Sequence, residues 1–372
     1  MNTPIAVYVH IPFCPSKCGY CDFNSYALST FGEVDIVTRT VHAIEQDILR
    51  SSLAGTPAKT IFFGGGTPTF LPAHELTRLL EAVYSIHPPI TGCEITSEAN
   101  PGTVDATKFR AMVDAGFNRI SLGAQSFLDA DLLRLERVHT GGEIERAVQS
   151  AREAGFHNVN LDLMFALPGQ GMRGWRQNLA RALALEPEHL SLYCLTIEPN
   201  TRFYTRHLRG QLDLPDDDDQ VAMYDEAVEV TRSAGYEQYE ISNFAKPGFE
   251  CRHNLEYWRA QPYAAYGPGA VGATRFDRSV RIKHPVRYCE AIESHRDPVY
   301  ELEPLGDAER RLERLMLGLR LTEGLPADAA PLDARGLVRC KESGWLREED
   351  GLLRLTPEGR HFCSEVALAL AA

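Results

Sequence analysis

Long apolar runs are missing from this sequence of 372 residues. No stretch reaches the roughly 18 uninterrupted apolar residues that a membrane span requires. The first residues, Met1 to Cys14, also lack the basic segment that begins a secretory signal. We therefore expect a cytoplasmic protein that does not insert stably into a membrane.

Positive charge is scarce as well. The chain has 38 Lys and Arg residues against 51 Asp and Glu residues, a formal net charge of −13. This balance disfavours nucleic acid or an anionic membrane surface as the main partner, although it leaves room for a local basic patch. We expect no nucleic-acid partner.

The cysteines do not form the even, spaced set that a disulfide framework needs. There are nine of them. Three crowd together at Cys14, Cys18 and Cys21, and the other six are scattered: Cys93, Cys194, Cys251, Cys289, Cys340 and Cys363. This pattern is not typical of a disulfide-stabilised secreted protein.

What is present is an alternation of β-rich runs and amphipathic stretches over the first 240 residues. The predicted strands are 6–11, 60–63, 93–98, 119–123, 158–165 and 190–197. The predicted helices are 33–53, 73–86, 105–115, 142–154, 174–185 and 216–234. Six βα units of this kind predict an α/β protein with a parallel sheet, folded as a partial (β/α)6 TIM-like barrel over residues 1–240. The acidic run Asp216 to Asp219 stands where the sixth helix begins. We interpret these carboxylates as complementing the positive end of the helix dipole.

Two further parts are predicted after the barrel. Residues 241–302 form a connecting segment, and we interpret the Gly-, Pro- and aromatic-rich stretch from Tyr236 to Arg281 as an ordered irregular loop. Residues 303–372 predict a winged-helix-like domain, with a hairpin that turns at Asp350-Gly351. From Gly306 onward this domain has 10 basic and 12 acidic residues, so we interpret it as a scaffold or lid and not as a DNA reader.

Cys14, Cys18 and Cys21 follow the first strand with the spacing C-x3-C-x2-C. Three thiolates are one too few for a closed structural zinc site. In a [4Fe–4S] cluster, three thiolates leave one iron open to another ligand. Taken alone, the cysteines leave zinc, adventitious thiols and an iron–sulfur cluster as alternatives.

Other polar and glycine residues stand where predicted strands end, which is the face on which barrels of this kind carry their sites. Each of them, considered singly, is more simply explained as a structural residue. They are Gly64, Gly65, Gly66 and Thr67 after strand two, Glu98 at the end of strand three, Gln125 after strand four, Asp162 in strand five and Thr196 at the end of strand six.

The cysteine spacing, with Tyr20 before the last cysteine, resembles the radical S-adenosylmethionine superfamily, and the similarity covers roughly residues 5 to 200. Within it the chain is similar to the group that contains the HemN coproporphyrinogen dehydrogenases. The resemblance implies a [4Fe–4S] cluster on Cys14, Cys18 and Cys21, with Tyr8 facing the sulfonium of S-adenosylmethionine and Tyr20 meeting its adenine through the backbone. It implies further S-adenosylmethionine contacts at Gly64, Gly65, Gly66, Thr67, Glu98, Gln125, Arg137, Asp162 and Thr196.

Two features separate this chain from the decarboxylating dehydrogenases and bring it close to HemW-type heme chaperones. Enzymes that resemble those dehydrogenases have the motif C-x3-C-x2-C-x-C, whereas in this chain Phe23 stands at the position of the fourth cysteine. In addition, His253-Asn254-Leu255-Glu256-Tyr257-Trp258 matches the HNxxYW motif of the chaperones. The resemblance implies heme contacts at His253, Tyr257 and Trp258, whereas a core helix with a hydrogen-bonded histidine is the alternative. Val271 replaces a histidine that many relatives carry.

We therefore expect a heme-binding chaperone that delivers heme to an unidentified acceptor protein, and a membrane-associated acceptor is compatible with this expectation. No catalytic residue is assigned. The alternative is an anaerobic coproporphyrinogen III dehydrogenase, and a third hypothesis is a zinc-stabilised protein without a redox role.

Overall fold

The computed structural model describes residues 3–31 and 35–371. The strands, in chain order, are β1 (Ile5–Ile11), β2 (Phe13–Cys14), β3 (Tyr26–Ala27), β4 (Ala58–Gly65), β5 (Pro89–Ala99), β6 (Arg119–Gln125), β7 (Val159–Phe165), β8 (His189–Cys194), β9 (Glu237–Glu240), β10 (Asn243–Ala245), β11 (Tyr263–Tyr266), β12 (Val271–Ala273), β13 (Asp277–Arg281), β14 (Val299–Pro304), β15 (Leu325–Pro326), β16 (Leu346–Glu349) and β17 (Leu352–Leu355).

The α-helices, in chain order, are α1 (Ile36–Leu49), α2 (Ala73–Ile86), α3 (Ala106–Ala115), α4 (Asp129–Arg134), α5 (Gly141–Ala154), α6 (Met172–Ala184), α7 (Arg202–Leu208), α8 (Asp217–Ser233), α9 (Arg252–Trp258), α10 (Pro285–Glu293), α11 (Asp307–Gly318), α12 (Ala334–Glu342) and α13 (Cys363–Leu370). The predicted first residue of the first helix, Glu33, lies outside the described residues. Within the described ranges, no helix is both long and apolar enough to cross a membrane.

One open 12-stranded sheet forms the centre of the molecule, in the order β14-β13-β12-β11-β1-β4-β5-β6-β7-β8-β10-β9. The neighbours from β1 through β4, β5, β6 and β7 to β8 are parallel. These are the six strands predicted from the sequence, so the partial barrel is confirmed, and its sheet is not closed.

The two faces of the parallel strands differ in chemistry. In β6, Ile120 and Leu122 belong to the apolar core, whereas Ser121 and Gln125 line a cavity on the other face. In a parallel sheet that is buried on both faces, strands are usually apolar throughout. The polar inner face therefore marks the inside of the barrel as a place for a ligand.

The prediction of an irregular loop over Tyr236–Arg281 is wrong. This stretch contains five strands and one helix, β9 to β13 and α9. β11 pairs in parallel with β1, and β10 pairs antiparallel with β8. The sheet thus continues across residue 240 and gains extra strands at both edges.

The C-terminal region has its own apolar cluster, which includes Leu315, Leu353 and Leu370. It contains α11, α12, α13 and a three-stranded sheet in the order β15-β17-β16. Asp350 and Gly351, with φ of 54° and 74°, form the tight turn between β16 and β17. The predicted hairpin is confirmed, because a turn of this kind favours Asp-Gly.

Candidate functional site

The three clustered cysteines line one cavity, together with residues from the carboxyl ends of the parallel strands. We call it the cysteine cavity. The predicted site residues that line it are Cys14, Cys18, Tyr20, Cys21, Gly65, Gly66, Thr67, Glu98, Gln125, Arg137 and Asp162. A set that is spread over 149 positions of the sequence is thus brought to one rim of the sheet.

Each cysteine sulfur has a polar neighbour. Thr67 Oγ1 donates a hydrogen bond to Cys14 Sγ at 3.5 Å, and Arg137 Nη1 donates one to Cys18 Sγ at 3.5 Å. Cys21 Sγ lies 3.9 Å from Ser25 Oγ. Burial raises the pKa of the Cys14 and Cys21 thiols. The Thr67 and Ser25 hydroxyls act against this rise in pKa, and the thiolate is the form of cysteine that binds metal.

Among the described residues, no three His, Cys, Asp or Glu side chains converge closely enough to hold a single metal ion. A [4Fe–4S] cluster makes no such demand, because each thiolate binds a different iron. All nine cysteines are free, and the three in the cavity are partly exposed. Their chemistry and their access to the cavity fit a cluster held by three thiolates.

Two glycines line the cavity beside the cysteines. Gly65 has φ of +113°, and a Cβ atom there would lie 2.5 Å from the His10 ring. A Cβ atom on Gly66 would lie 2.6 Å from the carbonyl oxygen of Phe13. Neither position can take a larger residue without a shift of the chain. The missing side chains thus make room for His10 and Phe13, and the backbone of both glycines lines the cavity; we call this backbone the glycine cradle.

Two carboxyl groups face the cavity from neighbouring regions of the sheet. Glu98 accepts a hydrogen bond from the Gly65 backbone N–H at 3.1 Å, and burial, with Asp162 nearby, raises the pKa of Glu98 to about 8. Asp162 accepts hydrogen bonds from Ser121 Oγ at 3.0 Å and Asn160 Nδ2 at 2.7 Å. Burial raises the pKa of Asp162. A ligand with a positive group would relieve the cost of ionising both carboxyls.

Arg137 and Gln125 complete the wall of the cavity. Arg137 Nη2 donates to the carbonyl oxygen of Gly123 at 2.8 Å, while its buried Nε has no partner among the described residues. Gln125 has φ of +63°, a conformation that non-glycine residues rarely adopt and that is common at functional sites. These residues, with the cysteines, glycines and carboxyls, fit a cluster and a nucleoside cofactor that has an amino-acid group.

Three predicted residues do not line the cavity. Gly64 and Tyr8 lie beside it, because a Cβ atom on Gly64 would be 3.0 Å from the Tyr8 ring and 3.2 Å from Glu98 Oε2. Thr196 is exposed beyond the end of β8 and is not among the lining residues. The contacts proposed from the resemblance thus meet at one place, with Thr196 apart from them.

The sequence reasoning missed Asn100, Ser121 and Gly123, which also line the cavity. A signal was present in the alternation of β6. Arg119, Ser121, Gly123 and Gln125 are polar or small and alternate with Ile120, Leu122 and Ala124, which are apolar. Since alternate residues of a strand share a face, the whole first set was assignable to the inner face.

The HNLEYW segment forms α9, and its histidine lies inside the barrel. The His253 side chain is fully buried, with Nδ1 2.8 Å from Thr60 Oγ1 and Nε2 2.9 Å from the Tyr257 hydroxyl oxygen. Its ring stacks on Phe62 at 5.0 Å between centroids. Burial lowers the pKa of His253 to about 3, so that the imidazole is neutral. In this structure His253 is thus a buried, hydrogen-bonded histidine on a helix, as in the alternative to heme contact, and its role in heme binding stays a prediction.

The start of α9 is fixed by a carboxyl group of the barrel. Glu94, on the inner face of β5, accepts hydrogen bonds from the backbone N–H groups of Arg252 and His253, each at 3.0 Å. A carboxylate at this end of a helix satisfies otherwise unpaired donors and complements the helix dipole. The position of His253 is thus tied to the same strand that carries Glu98.

Trp258 lies between the barrel and the C-terminal region. The Arg320 guanidinium lies over the Trp258 ring, 4.4 Å from its centroid, and Arg320 also pairs with the buried Glu240 at 3.0 Å. In the described structure Trp258 is therefore a packing residue for the C-terminal region, and its buried Nε1 has no hydrogen-bond partner among the described residues.

Comparison with known proteins places the chain in a family. Residues 8–181 match the radical SAM superfamily, and residues 305–362 match the HemN C-terminal domain. The chain is 41% identical to the heme chaperone HemW of Escherichia coli K12, over 87% of this chain and 84% of that protein. It is 36% identical to HemW of Bacillus subtilis 168, over 97% of each chain.

Among solved structures, the chain is similar to the coproporphyrinogen III oxidase HemN of Escherichia coli, with a TM-score of 0.86. The alignment covers 100% of this chain and 91% of HemN at 21% identity, which establishes the common fold alone. Together with the cysteine cavity and the α9 motif, the identity to the HemW proteins shows that this chain belongs to the HemW family of the radical SAM superfamily.

Proposed function

We propose that this protein is a heme chaperone that binds heme and delivers it to an acceptor protein. The observation that carries this proposal is the placement of His253, a neutral imidazole inside the barrel. A neutral imidazole is the form that coordinates heme iron. Of the residues that the structure describes, only Tyr257 contacts Nε2 of His253, through its hydroxyl, so a movement of one phenol ring frees a ligand. The names of the HemW relatives support the same activity.

We propose that Cys14, Cys18 and Cys21 hold a [4Fe–4S] cluster and that the remainder of the cysteine cavity binds S-adenosylmethionine. Bound together, such a pair supplies one-electron chemistry at the sulfonium. Within the chain, Glu98 and the cradle at Gly65 are placed to bind an amino-acid group. The partly buried walls limit the access of water to this chemistry.

Oxidative decarboxylation of coproporphyrinogen III remains the alternative, and one residue disfavours it. Phe23 stands at the position where the motif of the dehydrogenases has a fourth cysteine. Its side chain lines the cysteine cavity, with 61% of its surface exposed. The structural similarity to HemN does not favour the alternative, because it establishes only the fold.

A row of rings connects the two sites. Tyr8 stacks on Phe62 at 6.2 Å, and Phe62 stacks on His253 at 5.0 Å. Tyr8 also borders Gly64, whose Cβ position lies near Glu98. We propose that occupation of the cysteine cavity alters heme affinity through this row. By thermodynamic linkage, heme would alter the affinity for S-adenosylmethionine by the same factor.

We propose that the protein acts in the cytoplasm, where thiols stay reduced. We further propose that residues 303–372 are a separate unit attached to the barrel, since they have their own apolar cluster. The acceptor protein must supply a ligand to the heme iron that can replace the ligand of this chain.

The test is anaerobic reconstitution with iron and sulfide, followed by hemin titration with and without S-adenosylmethionine. We expect a shift of the Soret band for the native chain. His253→Gln should bind hemin at least tenfold more weakly, because the imidazole ligand to the heme iron is lost. His74→Gln, at an exposed position on α2, is the matched control and should titrate like the native chain.

A native chain that gives no Soret shift would refute the chaperone proposal. A His253→Gln protein with an unchanged circular dichroism spectrum and unchanged hemin affinity would remove His253 from its role. Formation of protoporphyrinogen from coproporphyrinogen III by the reconstituted protein would establish the alternative activity.

A further inference from the structure

A second cavity, of about 800 Å³, lies at the opposite end of the parallel strands. It is bordered by the beginnings of β1, β4 and β11, at Ile5, Lys59 and Tyr263, and by one side of α11. Its size falls within the range of about 300–1,000 Å³ that is usual for small-molecule sites. We call it the cationic cavity.

The lining of this cavity is rich in positive charge. Five of its residues are cationic and two are anionic: Lys59, Arg275, Arg310, Arg311 and Arg314 against Asp307 and Glu313. Both anionic groups already have partners, because Asp307 pairs with Arg310 at 2.5 Å and Glu313 pairs with Arg278. The acidic residues therefore do not neutralise the other arginines.

Three guanidinium groups remain without a partner. Within residues 3–31 and 35–371, the side chains of Arg275, Arg311 and Arg314 form no ion pair and no hydrogen bond. In a chain of net charge −13, three unpaired arginines around one cavity are an unusual concentration of positive charge. Arginine binds carboxylates in a two-point geometry that favours planar anionic groups.

Aromatic rings form another part of the lining. Tyr257 and Tyr263 both line the cavity, and their ring centroids are 4.7 Å apart at an interplanar angle of 71°. The Tyr257 hydroxyl is also the group that lies 2.9 Å from Nε2 of His253. One phenol ring thus separates the cationic cavity from the neutral imidazole inside the barrel.

We infer that the cationic cavity is the docking site for the two carboxylate groups of heme. The inference rests on the proposed function. Heme is a flat apolar ring with two carboxylates at one edge, and this cavity combines aromatic walls with unpaired guanidinium groups. The carboxylates bind Arg311 and Arg314, with Arg275 nearby, and the ring lies toward Tyr257. Heme therefore enters at the amino-terminal ends of the strands, away from the cysteine cavity.

The experiment compares two ligands and two double variants in the full-length protein. The ligands are hemin and hemin dimethyl ester, in which both carboxylates are esterified. We expect Arg311→Gln/Arg314→Gln to weaken hemin binding by about tenfold or more, because charge-assisted hydrogen bonds are lost. The same double variant should bind the dimethyl ester as the native chain does.

The control is Arg335→Gln/Arg339→Gln on α12, which removes the same charge from two exposed arginines of the same C-terminal region. It should leave the affinity for hemin unchanged. Equal losses in both double variants would indicate a general charge effect and overturn the inference, as would an Arg311→Gln/Arg314→Gln protein that binds hemin normally. Neither result would affect the chaperone proposal, which is tested separately by hemin binding to the native chain.

Discussion

The cysteine cavity and the cationic cavity lie at opposite ends of one set of parallel strands, and they are assembled differently. The first is built on residues at the ends of successive strands, with its three thiols inside a span of eight residues. The second takes Lys59, Tyr257 and Arg314 from regions that are far apart in the chain. A site built on strand ends is recognisable in a sequence, whereas one built where a helix meets a sheet edge depends on tertiary packing.

The strongest test of this contrast is the loss of a cysteine ligand. We expect Cys18→Ala to reduce the iron content of the reconstituted protein from about four per chain to far below one, because the cluster loses one of its three thiolate ligands. Hemin should still bind to Cys18→Ala, because His253 does not line the cysteine cavity.

Cys194→Ala provides the matched control, since Cys194 is an exposed thiol at the end of β8, outside the cysteine cavity. It should retain full iron. Loss of hemin binding in Cys18→Ala alone would contradict the separation of the two cavities and place the porphyrin at the cluster.

A smaller effect is expected for Glu98→Gln. Affinity for S-adenosylmethionine, measured by calorimetry, should fall by about tenfold, because a charge-assisted hydrogen bond is lost. Iron content should not change, and neither should hemin affinity measured without S-adenosylmethionine.

The same variant has a signature in stability. Burial raises the pKa of Glu98 to about 8 in the folded protein, while the unfolded chain ionises near 4.5. The folded state therefore binds the extra proton between these values, and this group lowers stability as pH rises from 4.5 to 8. Glu98→Gln should flatten that decline in thermal melts of the protein without cofactor, and an unchanged slope would contradict the assigned environment.

The smallest effect is expected for Tyr257→Phe, which keeps the ring and removes only the hydroxyl at Nε2 of His253. Stability should fall by about 1 kcal/mol, the worth of one hydrogen bond. Hemin affinity should rise by roughly fivefold, since the imidazole no longer has to be released from the phenol. A fall in hemin affinity would instead show that the hydroxyl itself contacts the ligand. Tyr84→Phe, on α2, is the control for loss of a phenol outside both cavities.

Much of the barrel could be predicted because its signals are local. The bounds of α2, Ala73–Ile86, match the prediction, and the Asp350-Gly351 turn follows from two residues. The stretch Tyr236–Arg281 failed for a physical reason: its strands have three to five residues and owe their pairing to distant partners such as β1. Strands of this length are too short to show a clear alternation of apolar and polar residues, and the Gly and Pro residues around them favour a loop prediction.

The site shows the same division. The placement of the cysteines, the glycine cradle and Glu98 at one rim was predictable from motif and position. A hydrogen-bonded His253 in a core helix was one of two alternatives, but its partners Thr60 and Phe62 were not predictable. The motif that contains the histidine does not predict which strand will pack against it. Arg311 and Arg314 have no motif at all, and only the packing of α11 against the sheet edge gives them a common neighbour.

Glu94 and Glu98, four positions apart on the inner face of β5, have a consequence for how this chain can change over time. One fastens the helix that carries His253, and the other stands beside the glycine cradle. An insertion, a deletion or a bulge in this strand would displace both carboxyls together. The two proposed binding sites therefore depend on one strand, and a change in the length of β5 would disturb both of them.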